Sequence, residues 1–400
     1  MPRRLLLFAA TTGYQIRVFA DTARRLGIEL TLATDRCHVL DDPWRDRAIP
    51  VRFDRLAESI QALRGIRFDG IAAVGDRPAL LAAEAAEALG IQFHPAAAAR
   101  ACCDKFVARQ LYWTAGLRVP QFFLTENEED ARRAPYPCVL KATGLSASRG
   151  VIRANDAGQF VAAFRRIGAM GESRLHVESY IPGAEFAIEA LMTHGAFRPL
   201  AIFDKPDPLE GPFFEETIYV TPSRQPAAVQ RALLETAAEG ARALGLRHGP
   251  VHAELRYNEQ GAWILEMHAR PIGGLCARTL RFASQPLEDL ILRHAVGEDI
   301  GGARPDGPAS GVMMIPIPRG GIYRSVEGQE RAAAVEGIED VIVTAKPGQM
   351  LLPLPEGATY LGFIFARGGS AAAVEGALRR AHAELRFEIA TALPTLKVQG

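Results

Sequence analysis

The first hundred residues alternate continuous apolar runs with helical periodicity, and few folds accommodate that alternation. Residues 5–9 (LLLFA) are an unbroken apolar run, as expected of a strand covered on both faces. Ile16, Phe19, Ala20, Ala23 and Leu26 then recur at three- and four-residue steps, and Gly27 closes the helix they predict. Residues 28–33 predict the next strand. A further unit follows, with a strand at 70–74, a helix at 78–89 ended by Gly90, and a strand at 91–93. This order predicts a small open parallel sheet over about residues 1–95. Two arginines before the apolar stretch imitate a signal peptide. The stretch ends at Ala10, short of the usual apolar length of about 7–15 residues, so it reads as a first strand. The turn at Gly13 reads as scaffold, because no GxGxxG follows the strand.

Composition excludes several function classes. In 400 residues, 46 Lys+Arg balance 46 Asp+Glu, with 48% hydrophobic residues. A chain of this make-up is not disordered and offers no general basic field to nucleic acid or an acidic membrane. No apolar run approaches the roughly 18 residues of a membrane span. The five cysteines (Cys37, Cys102, Cys103, Cys138, Cys276) include no CxxC pair. They predict buried thiols in a reducing, cytoplasmic compartment.

Beyond residue 100 the texture changes. Helices are predicted at 104–115, 156–167 and 226–244, and strands at 137–142, 175–181, 185–191 and 213–220, with a turn at His194-Gly195. The strand at 137–142 runs into a Gly/Ser loop at 143–150, and residues 251–267 form a hairpin. The Gly/Pro-rich stretch 297–311 reads as a linker. The last ninety residues, with short strands and an amphipathic helix at 371–385, read as a small α+β domain.

The hairpin VHAELRYNEQGAWILEMHARPIGG carries the most chemistry. Alternation places His252, Glu254 and Arg256 on one face of its first strand, and Ile264, Glu266, His268 and Arg270 on one face of the second. A three-residue loop, Glu259-Gln260-Gly261, then pairs Glu254 with Glu266 and His252 with His268. Facing carboxylates repel, and a hard divalent cation between them is the simple solution: Mg²⁺ takes one or two carboxylates plus phosphate oxygens. The two histidines leave a rival open, a Zn²⁺ or Fe²⁺ centre in a metalloenzyme that uses no nucleotide. Upstream, Lys105 begins a helix, and Lys141 ends an apolar strand immediately before GLSASRG. A lysine beside a turn with exposed backbone N–H groups suits a phosphate chain. In HVESYIPGAEFAIEAL, the extended backbone at 179–181 is suited to a flat base, and Glu185 to paired ribose hydroxyls.

Taken together, Lys105, the Lys141 loop, Glu178 with Glu185, and Glu254, Glu266 and Arg270 resemble an ATP-grasp carboxylate–amine ligase, most similar to the L-amino acid ligases (dipeptide synthetases). The resemblance covers about residues 100–300, and the flanks TTGY and GATYLGFIFARG fit it too. It implies an α/β and α+β protein with the ATP-grasp fold. Residues 1–100 would form a Rossmann-like pre-ATP-grasp domain and 101–300 the catalytic region, with a lid subdomain at about 116–182. Residues 301–400 would form the small C-terminal α+β domain.

By the same resemblance, Lys105 and Lys141 would contact ATP phosphates beneath the loop 144–150, with Ser146, Ser148, Arg149 and Gly150. Glu178 and the backbone of Tyr180 and Ile181 would hold adenine, and Glu185 the ribose. Glu254 and Glu266 would bind Mg²⁺ (or Mn²⁺), and His268 stands where many ATP-grasp enzymes have a metal-binding Asn. Arg270 would stabilise the transferring phosphoryl group, Lys141 assisting, and Gly273-Gly274 would let substrate approach the backbone. Substrate contacts would also come from His252 and from Glu215 or Glu216, beside Phe213 and Phe214. The implied reaction joins a small carboxylate to an amine, both expected to be amino acids, through an acyl phosphate. Purine-pathway ATP-grasp ligases or carboxylases are the alternative. No nucleic-acid or membrane partner is implied, and neutral charge permits a homodimer.

Overall fold

The computed structural model describes residues 2–10, 15–35 and 48–391. Chain contacts divide it into two compact units, which are described separately. The first contains residues 1–119, 185–203 and 225–307; the second contains 120–184, 204–224 and 308–400.

In the first unit, the strands Ile49–Pro50, Glu29–Thr34, Arg4–Ala9 and Gly70–Val74 lie side by side in that order, all parallel. Leu5, Leu6, Leu7 and Phe8 have no exposed surface, as the continuous apolar run requires. Each such side chain contributes about 1.5–3 kcal/mol by leaving water. The helix Ile16–Leu26 ends at a left-handed Gly27, as expected. The helix Asp76–Leu89 begins two residues earlier than predicted. Residues 91–93 do not form the predicted strand: the Ile91 N–H closes the end of that helix by bonding the Ala86 carbonyl at 2.9 Å. The turn at Gly13 and the segment TTGY lie outside the described residues.

The same unit holds the strands Gly261–His268 and Gly249–Asn258, with residues 185–193 of the strand Ala184–Thr193 and 196–203 of the strand Ala196–Lys205, neighbours in that order. The helices Lys105–Thr114 and Ala227–Leu244 share one apolar core with them, through Tyr112, Leu233, Ala237, Leu255, Ile264 and Met267.

In the second unit, Phe122–Thr125, Leu175–Ser179, Cys138–Ala142 and Val151–Ala154 form an antiparallel sheet. Phe160 and Ile167 of the helix Ala157–Gly168 bury themselves in its core. Ile218–Thr221, Ala309–Ile315, Gly362–Gly368 and Ile338–Val343 form a second antiparallel array, joined in one core to the helix Ala371–Glu384.

Cys138 and Cys276 are buried free thiols, Cys102 and Cys103 are half-buried, and Cys37 lies outside the described residues. Among the described residues no helix is long and apolar enough to cross a membrane.

Candidate active site

The hairpin pairs Glu254 with Glu266 and His252 with His268, as the sequence predicts, but by a different route. Its loop has two residues, Glu259 and Gln260, between the closing pair Asn258 and Gly261. Gly261 has φ +108°, a left-handed backbone that favours glycine; a Cβ there would meet only the flexible end of Arg118. A two-residue loop alone would leave Glu254 opposite Leu265. A bulge between the Leu255–Ile264 and Glu254–Glu266 pairs takes up Leu265 and restores the carboxylate pair.

The bulge also corrects the expected faces. Ile264 does not share a face with Glu266; it points with Met267 into the core, and both reach towards Gly240 of the helix Ala227–Leu244. Arg109, on the helix Lys105–Thr114, secures the bulge. It is 2% exposed and donates to the carbonyls of Ile264 at 2.5 Å and Leu265 at 3.2 Å.

Basic groups surround the paired carboxylates. Asp104 caps its helix by accepting from the Phe106 and Val107 N–H groups, and this places Lys105 Nζ 3.7 Å from Glu266 Oε1. His268 Nε2 lies 3.6 Å from Glu266 Oε2, and His252 Nε2 lies 3.3 Å from Glu254 Oε1. The opposed pair of hard oxygen donors fits Mg²⁺. His268 Nδ1 bonds Asp76 Oδ1 at 2.9 Å, which leaves Nε2 towards the carboxylates, as in histidines whose other nitrogen is anchored by a carboxylate. Burial and Arg270 oppose charge on His268, but Asp76 and Glu266 raise its pKa nonetheless. Burial likewise opposes charge on His252, yet Glu189 and Glu254 push it up to about 9.

Asp76, at the start of its helix, also accepts from Arg270 Nε at 2.8 Å. Burial would raise its pKa, but Arg270 and His268 hold it well below the usual carboxylate range. Glu189 bonds His252 Nδ1 at 2.5 Å and accepts the Ile272 N–H at 3.1 Å. Glu185, expected at the ribose, is buried and accepts from Arg256 Nε at 2.8 Å. Gly273 and Gly274 follow Ile272, with open space beside the Gly273 Cα.

In the second unit, Lys141 is only 7% exposed and lies 2.5 Å from Glu178 Oε1, while Glu178 Oε2 bonds His176 Nε2 at 2.9 Å. The backbone at 179–181 is less open than expected. The Ser179 N–H donates to Gln121 O at 2.9 Å and the Tyr180 N–H to Pro137 O at 2.8 Å, so neither can serve a base. Ile181 is buried, and Tyr180 stacks on Phe214 beneath Arg153.

In the loop containing Ser146 and Ser148, the Gly150 N–H bonds Pro355 O at 3.0 Å and Arg149 Nε bonds Glu356 O at 3.1 Å. Glu216 pairs with Lys205, and Arg166 lies over the Phe213 ring. Burial raises the pKa of Glu215, against a hydrogen bond from the Ile317 backbone.

Sequence reading missed Asp76, Glu189 and Arg109. Two had a signal. Asp76 follows the carboxyl end of a predicted parallel strand, where open α/β sheets bind ligands. Glu189 lies four residues after Glu185 in EFAIEAL, on the same face of an otherwise apolar strand. Arg109 had none.

Three family models match the chain: an ATP-grasp N-terminal domain at residues 20–92, an ATP-grasp domain at 134–279 and L-amino acid ligase C-terminal domain 2 at 313–390. The chain is 26% identical over 309 residues to an ATP-grasp enzyme, fsqD, of Aspergillus fumigatus, covering 64% of this chain and 53% of that protein. It is 27% identical over 316 residues to carnosine synthase 1 of Gallus gallus, covering 70% of this chain and 34% of that protein. The chain therefore spans between about a third and about half of the length of these curated relatives. The crystal structure of an L-amino acid ligase from Bacillus licheniformis superposes with a TM-score of 0.82 at 25% identity, over 97% of this chain and 99% of that one. The chain thus matches an ATP-grasp N-terminal domain, an ATP-grasp domain and an L-amino acid ligase C-terminal domain in that order, and is similar to an L-amino acid ligase along nearly its whole length.

Proposed function

We propose that this protein is an ATP-dependent carboxylate–amine ligase that forms an amide, of dipeptide type, through an acyl phosphate. The observation that carries the reading is the Glu254–Glu266 pair, held opposite by a bulge and flanked by Lys105, His268 and an Arg270 anchored on Asp76. The likeness to an L-amino acid ligase over the whole chain supports it. Residues 1–100, 101–300 and 301–400 are its proposed functional domains, with a lid at about 116–182.

In the proposed reaction, an oxygen of the substrate carboxylate forms a bond to the γ-phosphorus of ATP as the β–γ bridging P–O bond breaks, releasing ADP. The amine of the second substrate then attacks the acyl carbon, losing a proton and expelling inorganic phosphate. Such transfers need positioning and charge neutralisation more than a protein nucleophile. Lys105 and Arg270 supply fixed positive charge in the first unit and Lys141 in the second, with Ser146, Ser148, Arg149 and Gly150 on the loop that follows it. Glu254, Glu266 and His268 would hold a divalent cation, Mg²⁺ or Mn²⁺, which offsets phosphate charge when bound.

Glu178, Tyr180, Ile181 and Glu185 are assigned to the nucleoside, with Tyr180 acting through its ring or carbonyl. His252, Glu215, Glu216, Gly273 and Gly274 are assigned to the joined substrates, taken to be amino acids. Because Lys205 already neutralises Glu216, Glu215 is the better candidate for a substrate ammonium group.

The test incubates purified protein with ATP, Mg²⁺ and pooled L-amino acids, measuring ADP, AMP and phosphate together and the product by mass spectrometry. ADP and phosphate that appear only with amino acids, alongside a dipeptide mass, are expected. AMP with pyrophosphate would overturn the acyl-phosphate route.

A further inference from the structure

A buried polar chain runs behind the metal carboxylates and ends on the loop after Arg270. Glu189 is 1% exposed in the core of the first unit. One of its oxygens bonds His252 Nδ1 at 2.5 Å; the other accepts the Ile272 N–H at 3.1 Å. From the opposite side, Gln15, itself 3% exposed, donates its amide to Ile272 O at 3.0 Å. Ile272 is thus pinned through both its N–H and its carbonyl, immediately before the open backbone at Gly273. His252 in turn directs Nε2 towards Glu254, 3.3 Å away.

We propose that Glu189 is the positioning residue of the substrate side of the site: one buried carboxylate that sets both the His252 ring beside Glu254 and the backbone entering Gly273-Gly274. This rests on the ligase reading for its kinetic consequence but not for its geometry. A carboxylate serves both partners without a change in the His252 tautomer. His252 Nδ1 and the Ile272 N–H are two separate donors, and a carboxylate offers an acceptor oxygen to each. A glutamine offers one oxygen and turns a donor on the other partner. Aspartate keeps both acceptors but is one methylene shorter, so it reaches only one partner well. Displacement of a positioned group by about 1 Å can cost about 100-fold in rate.

The experiment compares the full-length protein with Glu189→Gln and Glu189→Asp, reading kinetics and amide hydrogen exchange in parallel. In Glu189→Gln, kcat/KM for the amino acid substrate is expected to fall about 10- to 100-fold. KM for ATP should stay within about threefold, and exchange at residues 272–274 should rise at least about tenfold. Glu189→Asp should recover part of each change. Unchanged kcat/KM with an unchanged, protected Ile272 amide overturns the proposal. So does a uniform loss in which KM for ATP, melting temperature and exchange across the whole hairpin move together, because that is a merely structural role.

Should Glu189→Gln fail to fold, Gln15→Ala removes only the second pin. It must then raise exchange at 272–274 and lower amino acid kcat/KM in the same sense, and absence of both effects refutes the idea. A wild-type protein that joins no acid to any amine sinks the ligase reading alone. The exchange comparison still decides the positioning role.

Discussion

Replacing Arg109 with methionine tests the bulge that brings the two carboxylates together. The substitution keeps a flexible apolar stem in a fully packed position but removes the guanidinium that donates to Ile264 O and Leu265 O. A hydrogen bond from a charged group contributes about 1.5–3 kcal/mol, and a buried carbonyl left without its donor costs about 1–3 kcal/mol. Two such losses would approach about 5 kcal/mol. Removing a 2%-exposed cation from the core offsets part of that. The net expectation is a destabilisation of about 2–4 kcal/mol, or a fall of roughly 2–5 °C in melting temperature for a 400-residue chain at about 1.2 °C per kcal/mol.

The functional effect should exceed the loss of folded protein. Leu265 is the residue that keeps Glu266 opposite Glu254. Thermal unfolding and ADP release are therefore measured on one preparation, at a temperature where the variant is folded. ATP turnover should fall at least about tenfold and need more Mg²⁺. A variant that melts within about 1 °C of the parent, with the same Mg²⁺ dependence, would refute the reasoning: the bulge would then hold without Arg109.

Other outcomes follow from the same structure. Glu266→Gln should abolish ATP turnover and leave the circular dichroism spectrum unchanged; an active, Mg²⁺-dependent variant sinks the metal assignment. Lys141→Ala breaks a buried pair with Glu178 and should raise KM for ATP at least tenfold, roughly; unaltered ATP kinetics would remove Lys141 from the phosphate site. Gly240→Ala would set a Cβ 2.3 Å from Ile264 Cδ1. It should cost about 1–3 kcal/mol by overpacking, and urea unfolding that matches the parent would show that the core yields there.

His94 accepts from the Arg247 N–H and bonds Pro250 O, and burial, helped by His248, lowers its pKa from 6.5 to about 4. The unfolded chain therefore binds a proton between pH 6.5 and 4 that the folded chain refuses. Stability is complete above pH 6.5 and falls by about 3 kcal/mol as pH drops to 4. Urea midpoints at pH 7 and pH 5 measure this, and a His94→Asn variant with an equally steep fall would assign the loss elsewhere.

The sequence by itself determined the elements and the chemistry they carry. The LLLFA run, the 3.6-residue spacing of residues 16–26 and their closing glycine needed only local rules, because apolar periodicity and left-handed caps are written in neighbouring residues. So did the placing of Glu254 and Glu266 on facing strands. The strand predicted at 91–93 failed because a helix end took its N–H, a competition that three apolar residues do not reveal.

Tertiary structure alone decided how the hairpin achieves its register. A two-residue loop and a bulge give the same carboxylate pairing as a three-residue loop, but they send Ile264 to the core, and the donor at that bulge is Arg109, 155 residues away from Ile264. It also decided that Arg270 rests on Asp76, that Ile272 is pinned by Glu189 and Gln15, and that the Tyr180 N–H is already engaged. These are pairings between buried polar groups far apart in the chain. Each is required because an unpaired buried donor or acceptor is costly, yet only the folded backbone determines which partner lies within reach.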